Sequence, residues 1–342
     1  MGRILIILSA LFASNLYAVA NIPDMPGCSI TEEFKNKNKA CFASESREEY
    51  LDNCQELETP GKNNSLAQVL IGSQYETGRL VPKNYETAIK WYEEASKNGC
   101  SVGAVNLASL YARKFNGTGK SFFWRVEAAK LGHVISQYTV GMFYQFGHGE
   151  VKEDLSKAKK WYKKAAKNNH VDSQVSLGNI YRIEKSYTKA VKWYKKAVDQ
   201  GDARAQVLYG AMYAEGFGVT KSGKKAIELF KLAAEQNNDL AQFNLGKAYA
   251  GGRLVVQNYE KAFFWYKRSA GHGYVKSQVE LSIMYALGKV EKNIVLAHMW
   301  ANVASTTDEK NIEWRDILAE QMTREQIQEA QDLASNWVAN VY

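Results

Sequence analysis

Small and aromatic residues return along this chain in a fixed order every 32 to 37 positions, separated by polar, Gly-containing turns. Each period reads as two short helices joined by a turn, and the helix pair, once found, is written seven times between residues 65 and 305. Within the first helix of each pair a small residue stands at Gly72, Ala108, Gly141, Gly178, Gly210, Gly246 and Ser282. Three residues later comes a tyrosine without exception: Tyr75, Tyr111, Tyr144, Tyr181, Tyr213, Tyr249 and Tyr285. A small residue lets a neighbouring helix come close, and a large one a turn later covers the contact, so the expectation is stacked, interlocking helices.

The turns carry their own chemistry. In five units a glycine follows the tyrosine by three residues (Gly78, Gly147, Gly216, Gly252 and Gly288), where a helix closes in the left-handed conformation. A valine comes next, and three residues after it an N-cap type: Asn84, Asp154, Ser222, Asn258 or Asn293. The second helix then carries an alanine (Ala88, Ala158, Ala226, Ala262, Ala297) and a Trp-Tyr pair, as in Trp91-Tyr92, Trp161-Tyr162, Trp193-Tyr194 and Trp265-Tyr266. Repeat five has Leu229-Phe230 instead. Recurring at one helical position, these pairs are expected in the core between helices. The second and fourth turns are shorter, and their second helices return with Trp124 and Trp193.

This pattern resembles the Sel1-like repeat, a relative of the tetratricopeptide repeat, from about residue 66 to 305. The resemblance implies an all-α, right-handed superhelical solenoid, with units at about 65–101, 102–134, 135–171, 172–202, 203–238, 239–274 and 275–305. Residues 306–342 look like the family's tail. Thr323 and Gln326 have capping-box spacing, so a final helix to about Trp337 is expected to cover the last repeat.

The ends change the picture. Residues 1–20 have an export layout: Arg3, a short apolar run, then Ala18-Val19-Ala20, which predicts signal-peptide cleavage after Ala20. Residues 21–64 contain no repeat but hold Cys28, Cys41 and Cys54, with Cys100 the fourth cysteine of the chain. In an exported protein these predict two disulfides, with three connectivities open, that staple the segment to the first repeat. A helix is expected from residue 46 to about 57. The last four residues, Ala339-Asn340-Val341-Tyr342, are not a retention signal, which favours the periplasm or secretion beyond it.

Charge adds little. The formal net charge of +8 comes from 44 basic and 36 acidic residues spread evenly, a mixed solvated surface that offers no nucleic-acid footprint. The basic run at residues 157–167 interleaves lysines with Trp161 and Tyr162, but those rings are repeat positions, leaving the lysines on the outer face of the helix. No Walker loop, metalloprotease or nucleophile-elbow motif is present. The histidines His133, His170 and His272 sit at inter-repeat turns as capping or solvated groups, and His298 is expected to pack. The expectation is therefore a non-enzymatic, monomeric scaffold with no metal and no cofactor. It would have no transmembrane segment after cleavage, and it would bind a protein or peptide at the bacterial envelope or host interface. By the geometry of a tetratricopeptide-like groove, Ser73, Tyr138, Met142, Gln145, Asn179, Arg182, Phe243 and Lys247 would face the ligand. Two other readings stay open: an envelope protein binding peptidoglycan or another glycan through exposed aromatics, and a β-lactam-interacting hydrolase. The hydrolase-like relatives carry a cysteine pair in each repeat, which this chain lacks.

Overall fold

The computed structural model describes residues 27–29, 31, 64–115 and 117–337. The export-type segment, Cys41, Cys54 and the helix expected near residues 46–57 lie outside the described residues. Among those described the chain is helical throughout, apart from a single bridge between His148 and Val151.

The chain divides into two compact units, residues 1–173 and 174–342. In the first, α1 (Ser65–Thr77) pairs with α2 (Tyr85–Lys97), α3 (Ser101–Lys114) with α4 (Thr118–Lys130), and α5 (Val134–Phe146) with α6 (Leu155–Lys167). The boundary falls in the first turn of α7 (Val171–Ile183), which precedes α8 (Tyr187–Val198). In the second unit α9 (Ala203–Glu215) pairs with α10 (Gly223–Glu235), α11 (Asp239–Gly251) with α12 (Tyr259–Gly271), and α13 (Val275–Ala286) with α14 (Ile294–Thr307). A 3₁₀ turn (Glu309–Asn311), α15 (Ile312–Ala319) and α16 (Arg324–Ser335) follow.

The start of each second helix is set by local chemistry. The side chains of Asn84, Asp154, Ser222, Asn258 and Asn293 each accept the amide three residues on, satisfying one of the donors a helix start leaves unpaired. The preceding glycine has a positive φ in all five turns. At Gly78 the chain also passes so close that a Cβ would stand 2.8 Å from Lys83 Cβ.

Packing assigns the two aromatic series differently from the sequence expectation. The ring lying on the small residue of the first helix is the tyrosine of the Trp-Tyr pair, not the tyrosine a turn later. Tyr92 lies on Gly72, Tyr162 on Gly141, Tyr194 on Gly178, Phe230 on Gly210 and Tyr266 on Gly246. These four tyrosines are the largest fully buried side chains among the described residues. Trp91, Trp161, Trp193 and Trp265 are only half-buried, because at 100° per residue the neighbour of a buried position already turns toward the edge of the contact. The tyrosines of the first helices are half-buried too. Five of them carry a lysine from the paired helix: Lys120 over Tyr111, Lys157 over Tyr144, Lys189 over Tyr181, Lys225 over Tyr213 and Lys261 over Tyr249.

Both ends are tied down. Cys28 is bonded to Cys100, which is fully buried between α2 and α3. Ser29 accepts the Leu66 amide and Thr31 donates to the Asn64 side chain, so this short stretch is pinned to the start of α1. At the other end α16 opens with the expected capping box of Thr323 and Gln326. Its Ala330 packs with Met299 and Val303 of α14, and Trp337 meets Trp300 edge-on at 5.7 Å. The seventh repeat has Ala301 where five of the others bury an aromatic ring. Trp314 of α15 packs there, against Ala297 and Ala301, and donates to Ser282 Oγ at 2.9 Å.

Candidate interaction surface

A buried phenol must still satisfy its hydroxyl. Tyr92 donates to Glu76 at 2.8 Å, and the other oxygen of that carboxylate accepts from Arg113 at 2.6 Å. Tyr162 donates to Gln145 at 2.7 Å and Tyr194 to Asn179 at 2.8 Å. Burial pushes the pKa of Tyr92, Tyr194 and Tyr266 upward, so these phenols remain donors across the working pH range.

The residues expected to face a ligand are distributed around these phenols. Ser73 is half-buried on the turn of α1 that carries Gly72, beside the Tyr92 ring. In the first unit Gln145 takes the Tyr162 hydroxyl while the Tyr138 ring lies 5.7 Å from that of Tyr162 and 4.8 Å from His170. Met142 is half-buried beside Gly141. In the second unit Asn179 takes the Tyr194 hydroxyl, and the positive charge of Arg182 favours the ionised phenol, against the larger upward push of burial. Phe243 lies 5.9 Å from Tyr266 and 5.4 Å from Tyr274, and Lys247 is exposed. Gln145 and Asn179 therefore each commit an acceptor to the framework and keep the rest of the amide at the surface.

The histidines at the turns act as caps or hydrogen-bond partners. His133 Nδ1 accepts from the Ser136 amide at 3.2 Å and lies 2.8 Å from its hydroxyl; His170 repeats this with Ser173. Burial, with Arg125 nearby, lowers the His133 pKa to about 4. His272 pairs with Asp239 at 2.5 Å, and His298 is buried. In the basic run Lys157 lies over Tyr144 and Lys164 over Trp161 at 4.3 Å, so two of its cations cover rings instead of standing free. Among the described residues no three His, Cys, Asp or Glu side chains stand close enough to hold a metal ion. Among them, too, no helix is long and apolar enough to cross a membrane.

One feature was missed from sequence. In the second repeat the residue after Trp124 is Arg125, at the position where the other repeats bury Tyr92, Tyr162, Tyr194, Phe230 and Tyr266. Ser121 stands in place of the repeat alanine and donates to the Ala108 carbonyl at 2.8 Å. A cavity of about 790 Å³ opens beside it, lined by α4, α5 and the turn leading to α6. The signal was the missing tyrosine after Trp124.

Stacked two-helix units with a buried ring on a small residue define a helical-repeat solenoid protein. More narrowly, the Sel1 repeat family model matches residues 65–100, 134–170, 173–202, 203–238, 239–274 and 275–306, more than half the chain, and the chain belongs to that family. The second repeat is passed over. A protective antigen present in uropathogenic Escherichia coli strains, displaying an SLR fold, is 30% identical, with a TM-score of 0.65 over 85% of this chain and 63% of its own. A Sel1 repeat protein from Oxalobacter formigenes is 30% identical, with a TM-score of 0.47 over 75% of this chain and 92% of its own. A chitin synthase regulator from Saccharomyces cerevisiae is 31% identical over 100 residues, and the match spans 14% of its length. Sel1 repeat proteins are protein-interaction scaffolds.

Proposed function

We propose that this chain is a non-catalytic scaffold of the bacterial envelope or host interface, exported to the periplasm or beyond, that binds a protein or peptide as a monomer. One observation carries the reading. Within each unit a recurring buried frame supports half-buried and exposed positions whose chemistry changes from repeat to repeat, from Gln145 and Met142 to Asn179, Phe243 and Lys247. A constant frame under a varied surface is how repeat proteins present a binding face. The Cys28–Cys100 bond supports an oxidising compartment, and the likeness to a protective antigen supports the placement at the envelope. Cross-linking the protein in its native cell, followed by identification of what is attached, should yield a protein partner. Recovery of peptidoglycan or another glycan alone would overturn the reading.

A further inference from the structure

Every repeat but one fills the same position with a ring. Five supply it from their own second helix, and the seventh, with Ala301, is covered by Trp314 of the tail. The second repeat places Arg125 there, and it is the repeat that the family pattern does not match. Arg125 has no hydrogen-bond or ion-pair partner among the described residues, and burial alone lowers its pKa. Arg125 is half-buried, and a guanidinium partly withdrawn from water with no protein acceptor favours an anion that meets its donors.

The cavity beside it has two sides. Phe122, Phe143 and His148 form an aromatic wall, with Phe122 5.3 Å from Phe143 and Phe143 4.8 Å from His148. The carboxylates lie on the turn side. Asp154 is occupied by the Lys157 amide and ammonium, Glu150 reaches over Gly119 at the start of α4, and Glu153 lies against Gly147. Among the described residues no hydrogen bond or ion pair joins any of them to Arg125.

We propose that this cavity is a carboxylate-recognition pocket for a peptide, in which Arg125 takes the carboxylate through paired hydrogen bonds while Phe122, Phe143 and His148 take an adjoining apolar or aromatic side chain. The proposal rests on the scaffold reading and names the chemistry of its ligand. The carboxylate belongs either to a chain terminus or to an acidic side chain.

The test titrates the full chain calorimetrically with three synthetic peptides. One ends in phenylalanine with a free carboxylate, the second is the same peptide amidated, and the third is amidated with a glutamate beside the phenylalanine. The first or the third should bind, and the second roughly ten-fold more weakly or worse. Which acid is preferred identifies the source. Arg125→Tyr restores the residue type of the other repeats, so the melting temperature should hold or rise while binding of the acid peptide falls roughly ten-fold or more. Equal binding of all three peptides, no binding of any at millimolar concentration, or unchanged binding by folded R125Y would each overturn the pocket. Cross-linking R125Y in the native cell keeps the two readings separate. A partner captured equally by wild type and R125Y, without peptide discrimination, removes the pocket and leaves the scaffold. Arg125-dependent peptide binding with only glycan cross-linked does the reverse.

Discussion

Tyr162 lies against Gly141 so closely that a Cβ placed on the glycine would stand 2.6 Å from the ring's Cε1. The contact sets the distance between α5 and α6, since the ring is fully buried and has no free direction in which to yield.

Gly141→Ala should therefore destabilise by about 1–3 kcal/mol, even though alanine is the better helix former. Gly271, at the end of α12, has nothing within 4 Å of its would-be Cβ. There the same substitution should be neutral or stabilise by up to about 1 kcal/mol. Urea unfolding of the two variants compares them directly. Equal effects would mean that propensity decides, not the ring contact.

The hydroxyl of the same ring gives a second prediction. Tyr162→Phe leaves the packing and deletes the bond to Gln145, at an expected cost of about 1 kcal/mol. Gln145→Ala deletes it from the other side. A double-mutant cycle should return a coupling of about 1 kcal/mol, and additive losses would exclude the bond as a contributor.

These contacts show what could be read from the sequence and what could not. The five N-caps and the Thr323–Gln326 capping box were legible, because each depends on residues three apart on one strand of chain. The division of labour within Trp161-Tyr162 was not. Both residues lie on the same broad apolar face, and which one meets Gly141 is settled by the approach of the partner helix. Gln145 and Asn179 looked like free surface for the same reason: the phenols they serve come from another helix. Arg125 was overlooked because Trp124 alone satisfied the pattern, although the absent tyrosine was in plain view.

His133 should make stability depend on pH. Its pKa is lowered to about 4 by burial and by Arg125, against about 6.5 in the unfolded chain. The folded state thus binds the proton less readily. The stabilisation is complete above about pH 6.5 and is lost as pH falls toward 4. Protonation also removes the Nδ1 acceptor from the Ser136 amide at the start of α5. Unfolding free energies from urea titrations at pH 7 and 4.5 should differ by roughly 2–3 kcal/mol through this group. His133→Asn keeps a capping side chain without the titration and should flatten the profile by that amount. An unchanged profile would assign the acid loss to other groups.

Trp314 is the chain's own filler for a repeat without a ring, and its contribution can be divided. Trp314→Ala removes the indole from Ala297 and Ala301 together with the bond to Ser282, at an expected cost of about 2–4 kcal/mol. Trp314→Phe keeps much of the packing and loses the bond, so about 1 kcal/mol is expected. In a repeat array each unit is stabilised by its neighbours, and the loss should stay local. Hydrogen exchange should accelerate in α13 to α16 and remain unchanged in α9 and α10. If Phe costs as much as Ala, the hydrogen bond to Ser282, not the filled space above Ala301, is what α15 contributes to the seventh repeat.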